Sequence, residues 1–458
     1  MQEKPMSIPA TGAVGKSTVA GLMLALFVAA LDSTVVATAM PTVAAALGGE
    51  AHYAWPMTAY LVASTVSTLL CGGLAFSFGL WRVYVAGLAL FAASSVLCAL
   101  APTIEALAAF RLLQGVGGGV LEAGVFIAAA MMLAPRDRGP YLGAASAMYG
   151  IASVVGPVIG GAVAQGLSWH VIFVVNLPIS IVALFLSGRC LPGRAPGAPV
   201  VGFDVSGSVA ASLCVLSLVL AFSLAGSVFP MASPQFVALV VLSVACAALL
   251  SRVERGKAAP TVPMGLFRRG QVVAGFVSGF CVQFALMAGV SYLPRLLQEG
   301  LGMAAASSGA VLIPMTLALM VGSNTSGAAF RATGRLRAIA AASSAVVLAA
   351  SVTFSAMSPM LAVASCTAVA AVLGLGVGIG MPVSNLAAQT GADPADAGRA
   401  TSMAMFFRGF GGTVSTAACG MLAPAATAAG TAGVFGAVCV AAVAGLVASR
   451  FIPREIPS

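Results

Sequence analysis

Charged side chains are scarce in this chain. Only 7% of its 458 residues are charged, 21 of them Lys or Arg and 12 Asp or Glu, whereas soluble proteins usually carry about a quarter. So few charges cannot cover the surface of a water-soluble protein of this length. Since 60% of the residues are hydrophobic and one membrane crossing takes about 20 helical residues, the sequence predicts an all-α polytopic membrane protein.

Histidine is almost absent, and the cysteines form no motif. The two histidines, His52 and His170, are far apart in sequence, and the nine cysteines include no Cys-x-x-Cys pair. These counts disfavour a metal site, a disulfide framework and nucleophilic catalysis. A membrane-embedded enzyme is the alternative from another class, and it would need such a catalytic cluster. We therefore expect no metal, no cofactor and no enzymatic activity.

The net charge of +9 does not indicate nucleic-acid binding. Lys and Arg occur singly or in short groups between apolar runs rather than on one basic face or tail. The tripeptide Gly15-Lys16-Ser17 resembles the end of a phosphate-binding loop, but Ala10 stands where that loop requires its first glycine. An ion gradient, rather than a nucleotide, is then the expected source of energy for transport.

Apolar runs separated by polar or Pro/Gly-rich breaks predict about fourteen membrane helices. Residues 1–188 form a six-helix bundle, residues 189–270 hold linker loops with two additional helices, and residues 271–458 form a second six-helix bundle. The predicted spans are 17–47, 55–78, 81–100, 104–133, 140–167, 169–187, 204–224, 234–250, 271–297, 304–326, 339–357, 359–383, 399–422 and 428–449.

The positions of the basic residues predict the orientation. If the amino terminus is cytoplasmic, every Lys and Arg falls in an inner segment except Arg111, Arg295 and Arg408, which lie within spans. Cytoplasmic loops carry the excess of Lys and Arg in membrane proteins. We therefore predict a multi-pass protein of the cytoplasmic (plasma or inner) membrane with both termini in the cytoplasm.

Spans 1 and 4 carry charges at membrane depth. Asp32 lies in Leu31-Asp32-Ser33-Thr34-Val35-Val36-Ala37-Thr38-Ala39-Met40-Pro41, and a buried charge costs about 2.5 kcal/mol or more, so it usually serves function. A helix–helix hydrogen bond without a transport role is the alternative. In span 4, Arg111 leads to Gln114, three glycines at 117–119 and Glu122. Arg111 cannot lose its proton and must find an anion or water, while the glycines alone fit close helix packing.

Span 5 contains a proline among glycines: Gly156, Pro157, Gly160 and Gly161. The proline removes a backbone hydrogen bond, and the glycines let a neighbouring helix approach the kink. From spacing alone, a kinked packing helix without a transport role is equally consistent.

Together these segments resemble the fourteen-helix drug:proton antiporter subfamily of the major facilitator superfamily, over nearly the whole chain. The segment 31–41 resembles its first-span motif, Arg111 to Gly119 its fourth-span motif Arg-x-x-Gln-Gly-x-Gly-Gly-Gly, and Gly156 to Gly161 its antiporter motif Gly-Pro-x-x-Gly-Gly. Supporting matches are 169–179, 203–207 and 266–268. The resemblance implies a major facilitator fold of two six-helix bundles plus two extra central helices.

The gating loop after span 2 departs from that family. The loop contains Gly73, Phe76, Gly79 and Arg82; Phe76 stands where the family has an acid, and of the charged residues only Arg82 survives. We therefore expect a weakened charge lock on the cytoplasmic side. The pattern Phe76-x-x-Gly79-x-x-Arg82 recurs as Arg331-x-x-Gly334-x-x-Arg337, which favours two halves duplicated about an axis along the membrane normal.

The resemblance implies proton-coupled efflux of small lipophilic drugs or metabolites, cations among them, by alternating access. It assigns proton coupling to Asp32 and Arg111, to which we add Glu122 as a candidate. Asp32, Gln114, Glu122 and Arg408 are expected to line the substrate cavity, with Arg408 snorkelling to the inner leaflet as the alternative. The glycines of span 5 and Pro157 would form a packing joint. The expected partners are a small-molecule substrate, protons and the lipid bilayer, with the monomer as the functional unit.

A proton-coupled importer or facilitator of the same fold is the main alternative function. It would accumulate its substrate in cells rather than remove it, and the antiporter motif of span 5 counts against it. A channel is a further alternative, but two buried acids and two buried arginines suit alternating charge pairs better than a continuous pore.

The orientation leads to a first prediction. Reporter fusions after Gly193 and after Ser458 should both report the cytoplasm, because the inner segments hold the basic residues. Paired alkaline phosphatase and green fluorescent protein fusions provide the measurement, and an external signal at either position would show that the orientation is wrong.

Overall fold

The computed structural model describes residues 15–49, 52, 55–166, 168–187, 191–193, 203–225, 229–230, 232–255, 257, 260–303, 310–357, 363–423 and 427–455. Within these residues the protein is all-helical, and its β pairing is limited to one isolated bridge between Ala225 and Phe229. A short 3-10 helix, Met264–Arg268, precedes the second half of the chain.

Fifteen α-helices are present in the described part of the chain. We number them in order as α1 Lys16–Ala46, α2 Trp55–Phe78, α3 Leu80–Ala99, α4 Ile104–Met132, α5 Pro135–Gly166, α6 His170–Val174, α7 Asn176–Ser187, α8 Val205–Leu224, α9 Pro234–Val253, α10 Gly270–Leu301, α11 Leu312–Thr333, α12 Leu336–Met357, α13 Val363–Gly391, α14 Ala397–Leu422 and α15 Ala428–Ser449.

Eleven stretches of the described chain are long and apolar enough to cross a membrane, and α6 and α7 together make one of them. The helices α5, α11 and α14 fall outside this group. They contain many Gly, Ala, Ser and Thr residues. Their position explains this composition, because all three pack between the two halves of the protein.

The helices pack in two groups that meet along four pairs of helices. In the first group α4 packs against α2 and α3, and α1 packs against α5 and α7. In the second group α10 packs against α13, α14 and α15, while α11 and α12 both pack against α13. The groups meet through α5 with α11 and α13, and through α14 with α2 and α4. We call this region of contact between the two groups the seam. The pair α8–α9 lies at the seam, where α8 contacts both α2 and α14.

The contact between α5 and α11 depends on small residues. A side chain added at Gly139 would lie 2.7 Å from the backbone oxygen of Gly327, and one added at Gly143 would lie 2.6 Å from that of Ser323. Both distances are shorter than van der Waals contact, so the two backbones touch here. We call the end of the protein at which α1 begins and α15 ends the terminal face. Gly139 and Gly327 lie near it.

Two helices extend well beyond their predicted ends. The tenth span was expected to end at Ser326 and the twelfth at Val383, whereas α11 continues to Thr333 and α13 to Gly391. Polar residues suggested helix ends at these places, but Ser326, Asn385 and Gln389 are buried. Gln389 donates to the backbone oxygen of Phe126 in the other group. The polar residues therefore belong to the seam rather than to loops.

The two loops that carry the repeated sequence pattern each contain a glycine at the turn, at corresponding positions. Gly79, between α2 and α3, has φ +85°, and Gly334, between α11 and α12, has φ +67°. Only glycine adopts such angles without strain. The repeat pattern therefore marks the same kind of turn in each half of the chain.

The glycine contact leads to a second prediction. Gly143→Val should lower the melting temperature of the detergent-solubilised protein by several degrees, because the added side chain forces α5 away from Ser323. Gly436→Val is the matched control, since a side chain added at Gly436 meets nothing within 4 Å. Equal melting temperatures for the two variants would contradict close packing of α5 on α11.

Candidate functional site

The carboxylate of Asp32 lies inside the first group of helices, where it is 1% exposed. Arg111 of α4 forms a buried ion pair with its Oδ2 atom. Two amides donate to its Oδ1 atom, Asn176 from the start of α7 at 2.7 Å and Gln114 at 3.0 Å. Asp32 therefore joins α1 to both α4 and α7.

The guanidinium of Arg111 is equally buried. It donates to Oε1 of Gln114 at 2.8 Å and lies over the ring of Tyr60 of α2, with its central carbon 4.1 Å from the ring centroid. Ser95 of α3 completes the network, because its hydroxyl accepts from Gln114 at 2.8 Å and from Asn176 at 3.3 Å. Five helices thus hold one ion pair, in which both carboxylate oxygens accept hydrogen bonds while Nε of Arg111 has no hydrogen-bond partner.

This network restricts what its members can do. A charge in a dry interior is stable only when it is paired and hydrogen-bonded, and breaking a buried pair typically costs about 3–5 kcal/mol. Arginine keeps its proton in proteins, whereas a carboxylate can gain one. Asp32 is therefore the member whose charge can change. Gln114, which we expected in a substrate cavity, is fully buried within this network.

The motif glycines of α5 pack on the helix that carries Asp32. A side chain added at Gly156 would collide with Thr34, and one at Gly160 would lie 2.8 Å from the backbone oxygen of Val35. Thr34 also donates to the backbone oxygen of Ala152 in α5 at 3.2 Å. The first-span and antiporter motifs thus form one helix contact.

Two further residues of the antiporter motif, Pro157 and Gly161, fall in α5. Their side-chain environment lies outside the described part of the structure. The glycines of the fourth-span motif pack as closely as those of α5: a side chain added at Gly117 would lie 2.7 Å from the backbone oxygen of Gly87 in α3.

Glu122 and Arg408 form a second set of opposite charges, at the seam. Arg408 of α14 is 6% exposed, and its central guanidinium carbon lies 5.1 Å from the ring centroid of Phe126 and 5.9 Å from that of Tyr149. Glu122 is half-buried in α4 and interacts electrostatically with Arg408. Arg408 therefore contacts the first group of helices instead of extending to the lipid headgroups.

The gating loop makes its own contact across the seam. The guanidinium of Arg399, in the first turn of α14, lies 4.2 Å from the ring centroid of Phe76. Arg399 also pairs with Asp396 and donates to the backbone oxygen of Pro260 at 2.8 Å. A cation–π contact thus connects the two groups at the position of the missing acid.

The remaining residues of the gating loop lie apart from the contact between Phe76 and Arg399. Gly79 makes the turn after α2, and Arg82 is exposed. A side chain added at Gly73 would lie 3.6 Å from Thr261, so the connector after α9 packs against α2. Thr261 in turn shares a hydrogen bond of 2.9 Å with Ser208 of α8.

Glu254 anchors this connector where α9 ends. Its Oε1 atom accepts a hydrogen bond of 2.8 Å from the backbone nitrogen of Val262, and its side chain is buried. Burial raises the pKa of Glu254 to about 7, and the nearby carboxylate of Asp204 acts in the same direction. Protonation at slightly acidic pH therefore removes a buried charge from the segment that contacts Arg399.

The sequence analysis missed several of these residues. Asn176 lies within a segment that matched the family, but no role was assigned to it. Tyr60 and Ser95 carried no signal, because single hydroxyl groups are common in apolar helices. Arg399 was counted only as an inner charge, and its pairing with Phe76 depends on residues more than 300 positions apart in sequence.

The fold and the buried charges define a helical membrane transporter, and comparison with known proteins identifies its family. The chain belongs to the major facilitator superfamily, whose family model matches residues 22–416. This is a family of transporters rather than of enzymes.

The curated relatives include proteins named for multidrug transport. Multidrug transporter protein MdtP of Bacillus subtilis (strain 168) is 33% identical over 395 residues, which cover 86% of this chain and 73% of the relative. Multidrug resistance protein 3 of the same strain is 29% identical over 408 residues, 87% and 78% of the two chains. Uncharacterized MFS-type transporter Rv1877 of Mycobacterium tuberculosis (strain ATCC 25618 / H37Rv) is 32% identical over 402 residues, 88% of this chain but 58% of the relative.

Solved structures share the fold at low sequence identity. The crystal structure of a double tryptophan mutant of XylE has a TM-score of 0.68 at 14% identity and covers 96% of both chains. The human organic anion transporter MFSD10 (TETRAN) has a TM-score of 0.65 at 14% identity, covering 96% of this chain and 99% of its own. These similarities establish the fold alone.

The contact between Phe76 and Arg399 leads to a third prediction. Phe76→Ala should open the terminal face roughly 2- to 30-fold more often, because a cation–π contact contributes about 0.5–2 kcal/mol. Phe76→Asp should reduce opening, since a carboxylate there can pair with Arg399. The measurement is the labelling rate of Ser402→Cys, a buried position one turn beyond Arg399, in a variant without native cysteines.

Phe78→Ala is the matched control for this experiment. Phe78 is exposed at the end of the same helix and contacts Phe203 instead of Arg399. Equal labelling of Ser402→Cys in Phe76→Ala and the parent protein would rule out a locking role for this contact.

Proposed function

We propose that this protein exports small lipophilic compounds from the cytoplasm in exchange for protons, as a member of the fourteen-helix drug:proton antiporter subfamily. The motif resemblance and the relatives named for multidrug transport support this assignment. With α6 and α7 counted as one span, the described helices would make fourteen crossings, which supports the fourteen-helix assignment. The protein would work as a monomer in the cytoplasmic membrane, with both termini inside and a proton gradient as its only energy source.

One observation carries the coupling proposal: Asp32 is a buried carboxylate paired with an arginine that keeps its charge. When Asp32 gains a proton, its attraction for Arg111 falls and the hydrogen bonds from Asn176 and Gln114 weaken. The proton state of Asp32 then changes how firmly α1 is held to α4 and α7.

The glycine contact between α1 and α5 can transmit a movement of α1 to the seam. Thr34 is two residues from Asp32 and touches Gly156 of α5, and α5 in turn packs on α11 of the second group. We propose that protonation of Asp32 shifts α1 against α5 and thereby favours one arrangement of the two groups over the other. With the termini inside, the contacts of Arg399 and Gly139 close the cytoplasmic side.

Substrate would bind at the seam rather than at Asp32. Glu122 and Arg408 lie there and are less completely paired than Asp32 and Arg111. Binding between two groups of helices is how an alternating-access transporter exposes one site to each side in turn. An importer of the same fold is the alternative, and the direction of substrate movement in everted vesicles separates the two.

The coupling proposal leads to a fourth prediction. In proteoliposomes, Asp32→Asn should abolish the proton release that follows addition of a lipophilic cationic dye, because the amide cannot take up a proton. Asp32→Glu should retain part of the release. A pH-sensitive dye in the lumen provides the measurement. Asp393→Asn is the control, since Asp393 lies in an exposed ion pair with Arg269.

Folding must be checked separately, because Asp32→Asn leaves Arg111 buried without a counter-charge. The double variant Asp32→Asn/Arg111→Gln removes both charges and should recover stability while leaving proton release absent. Undiminished proton release from a well-folded Asp32→Asn protein would remove Asp32 from the coupling mechanism.

A further inference from the structure

Glu122 and Arg408 place opposite charges at the same depth in the membrane. Glu122 is ten residues before the end of α4 at the terminal face, and Arg408 is eleven residues after the start of α14 there. At 1.5 Å per residue both lie about 15 Å from their helix ends. The two helices belong to different groups and contact each other, and the two charges interact electrostatically, so they lie on opposite sides of the seam.

We propose that this site selects small amphoteric aromatic compounds, whose acidic group binds Arg408 and whose protonated amine binds Glu122. The inference rests on the proposed export function and specifies its substrate class. It follows from how incompletely the protein itself satisfies these two side chains.

Arg408 has donors that the protein does not use. Its guanidinium is covered by the rings of Phe126 and Tyr149, and the described residues supply no hydrogen-bond acceptor for it. Contact with ring faces leaves the N–H edge of a guanidinium directed elsewhere, and that edge binds carboxylates in a bidentate manner. A buried arginine of this kind can bind an anionic group of a ligand whose body packs on the aromatic rings.

Glu122 supplies the opposite charge without neutralising Arg408 directly. The two interact electrostatically, but they form no ion pair in the part of the chain that the structure describes. Glu122 also lacks a hydrogen-bond donor among these residues. This differs from Asp32, whose carboxylate receives hydrogen bonds from three side chains. The carboxylate of Asp32 is occupied by its neighbours, whereas the carboxylate of Glu122 can accept a hydrogen bond from a ligand.

A third polar side chain lies one helical turn along α14 from Arg408. Gln283 of α10 is 7% exposed, and its amide oxygen has no hydrogen-bond partner. Its side chain lies against Gly412, one turn beyond Arg408 on α14. A buried acceptor without a donor costs about 1–3 kcal/mol, which a ligand hydroxyl group can recover. Glu122 and Arg408 therefore offer one anion and one cation to a ligand, and Gln283 lies one turn away with a further acceptor.

The pair of charges favours ligands that carry both charges over ligands that carry only one. Glu122 attracts a lipophilic cation but Arg408 repels it, and the reverse holds for an anion. A compound with both charges gains from each residue and has no net charge to desolvate. Its aromatic body can pack on the rings of Phe126 and Tyr149.

The test uses three probes built on one aromatic body: an amino acid form with a secondary amine and a carboxylate, its methyl ester, and its N-acetyl derivative. They carry both charges, only the positive charge and only the negative charge, respectively. In proteoliposomes we expect the amphoteric form to have at least a tenfold higher kcat/KM than either derivative, which corresponds to about 1.4 kcal/mol.

Two variants test which charged group of the probe each residue binds. Arg408→Gln should lower transport of the amphoteric probe about tenfold and spare the methyl ester. Glu122→Gln should lower transport of the amphoteric probe to a similar degree and spare the N-acetyl form. Arg295→Gln and Glu299→Gln remove charges from an exposed ion pair near the other end of α10, and they should change none of the three rates.

The outcomes separate the substrate class from the export function. If the methyl ester moves as well as the amphoteric probe, with proton release intact, the amphoteric class is wrong and the export function stands. If Arg408→Gln lowers all three rates equally, Arg408 has a structural role only and the inference fails. If lipophilic compounds move without any proton exchange, the proposed function fails and the inference fails with it.

Discussion

The ion pair between Asp32 and Arg111 is the constraint on which the arrangement of the first group depends. A guanidinium that cannot lose its proton must find a counter-charge inside an apolar interior, so α4 is held against α1. The carboxylate then needs further donors, which Asn176 and Gln114 supply, and Ser95 fixes both amides. One charge thus determines how α1, α3, α4 and α7 are placed.

The seam between the two groups is held by a different kind of interaction. Its helices touch through glycines and backbone oxygens, and its few polar contacts are single interactions such as Gln389 with Phe126 and Arg399 with Phe76. Each of these is weak enough to break while the bundles stay folded. The two charges at the seam are left less satisfied than the ion pair within the first group, which is the distribution that a moving interface requires.

Much of this could be predicted from sequence because hydropathy and glycine spacing act locally. Most helix bounds differ from the expected ones by a few residues, and a charge such as Asp32 stands out in an apolar run. The ends of α11 and α13 were placed too early because Ser326 and Gln389 are polar, and only tertiary packing shows that they are buried. The Phe76–Arg399 contact was not predictable, since it depends on which helices meet. Nor did spacing reveal that Gln114 is fully enclosed.

The low hydropathy of α5, α11 and α14 also affects how the protein is made. Helices enter the bilayer as synthesis proceeds, and a helix rich in glycine and serine gains little from contact with lipid. α1 is already present to cover one side of α5 through Thr34, but α11 follows only about 150 residues later. At roughly 5–20 residues per second, the glycine face of α5 stays without its partner for on the order of ten seconds, so the contact between α5 and α11 forms well after α5 has been made.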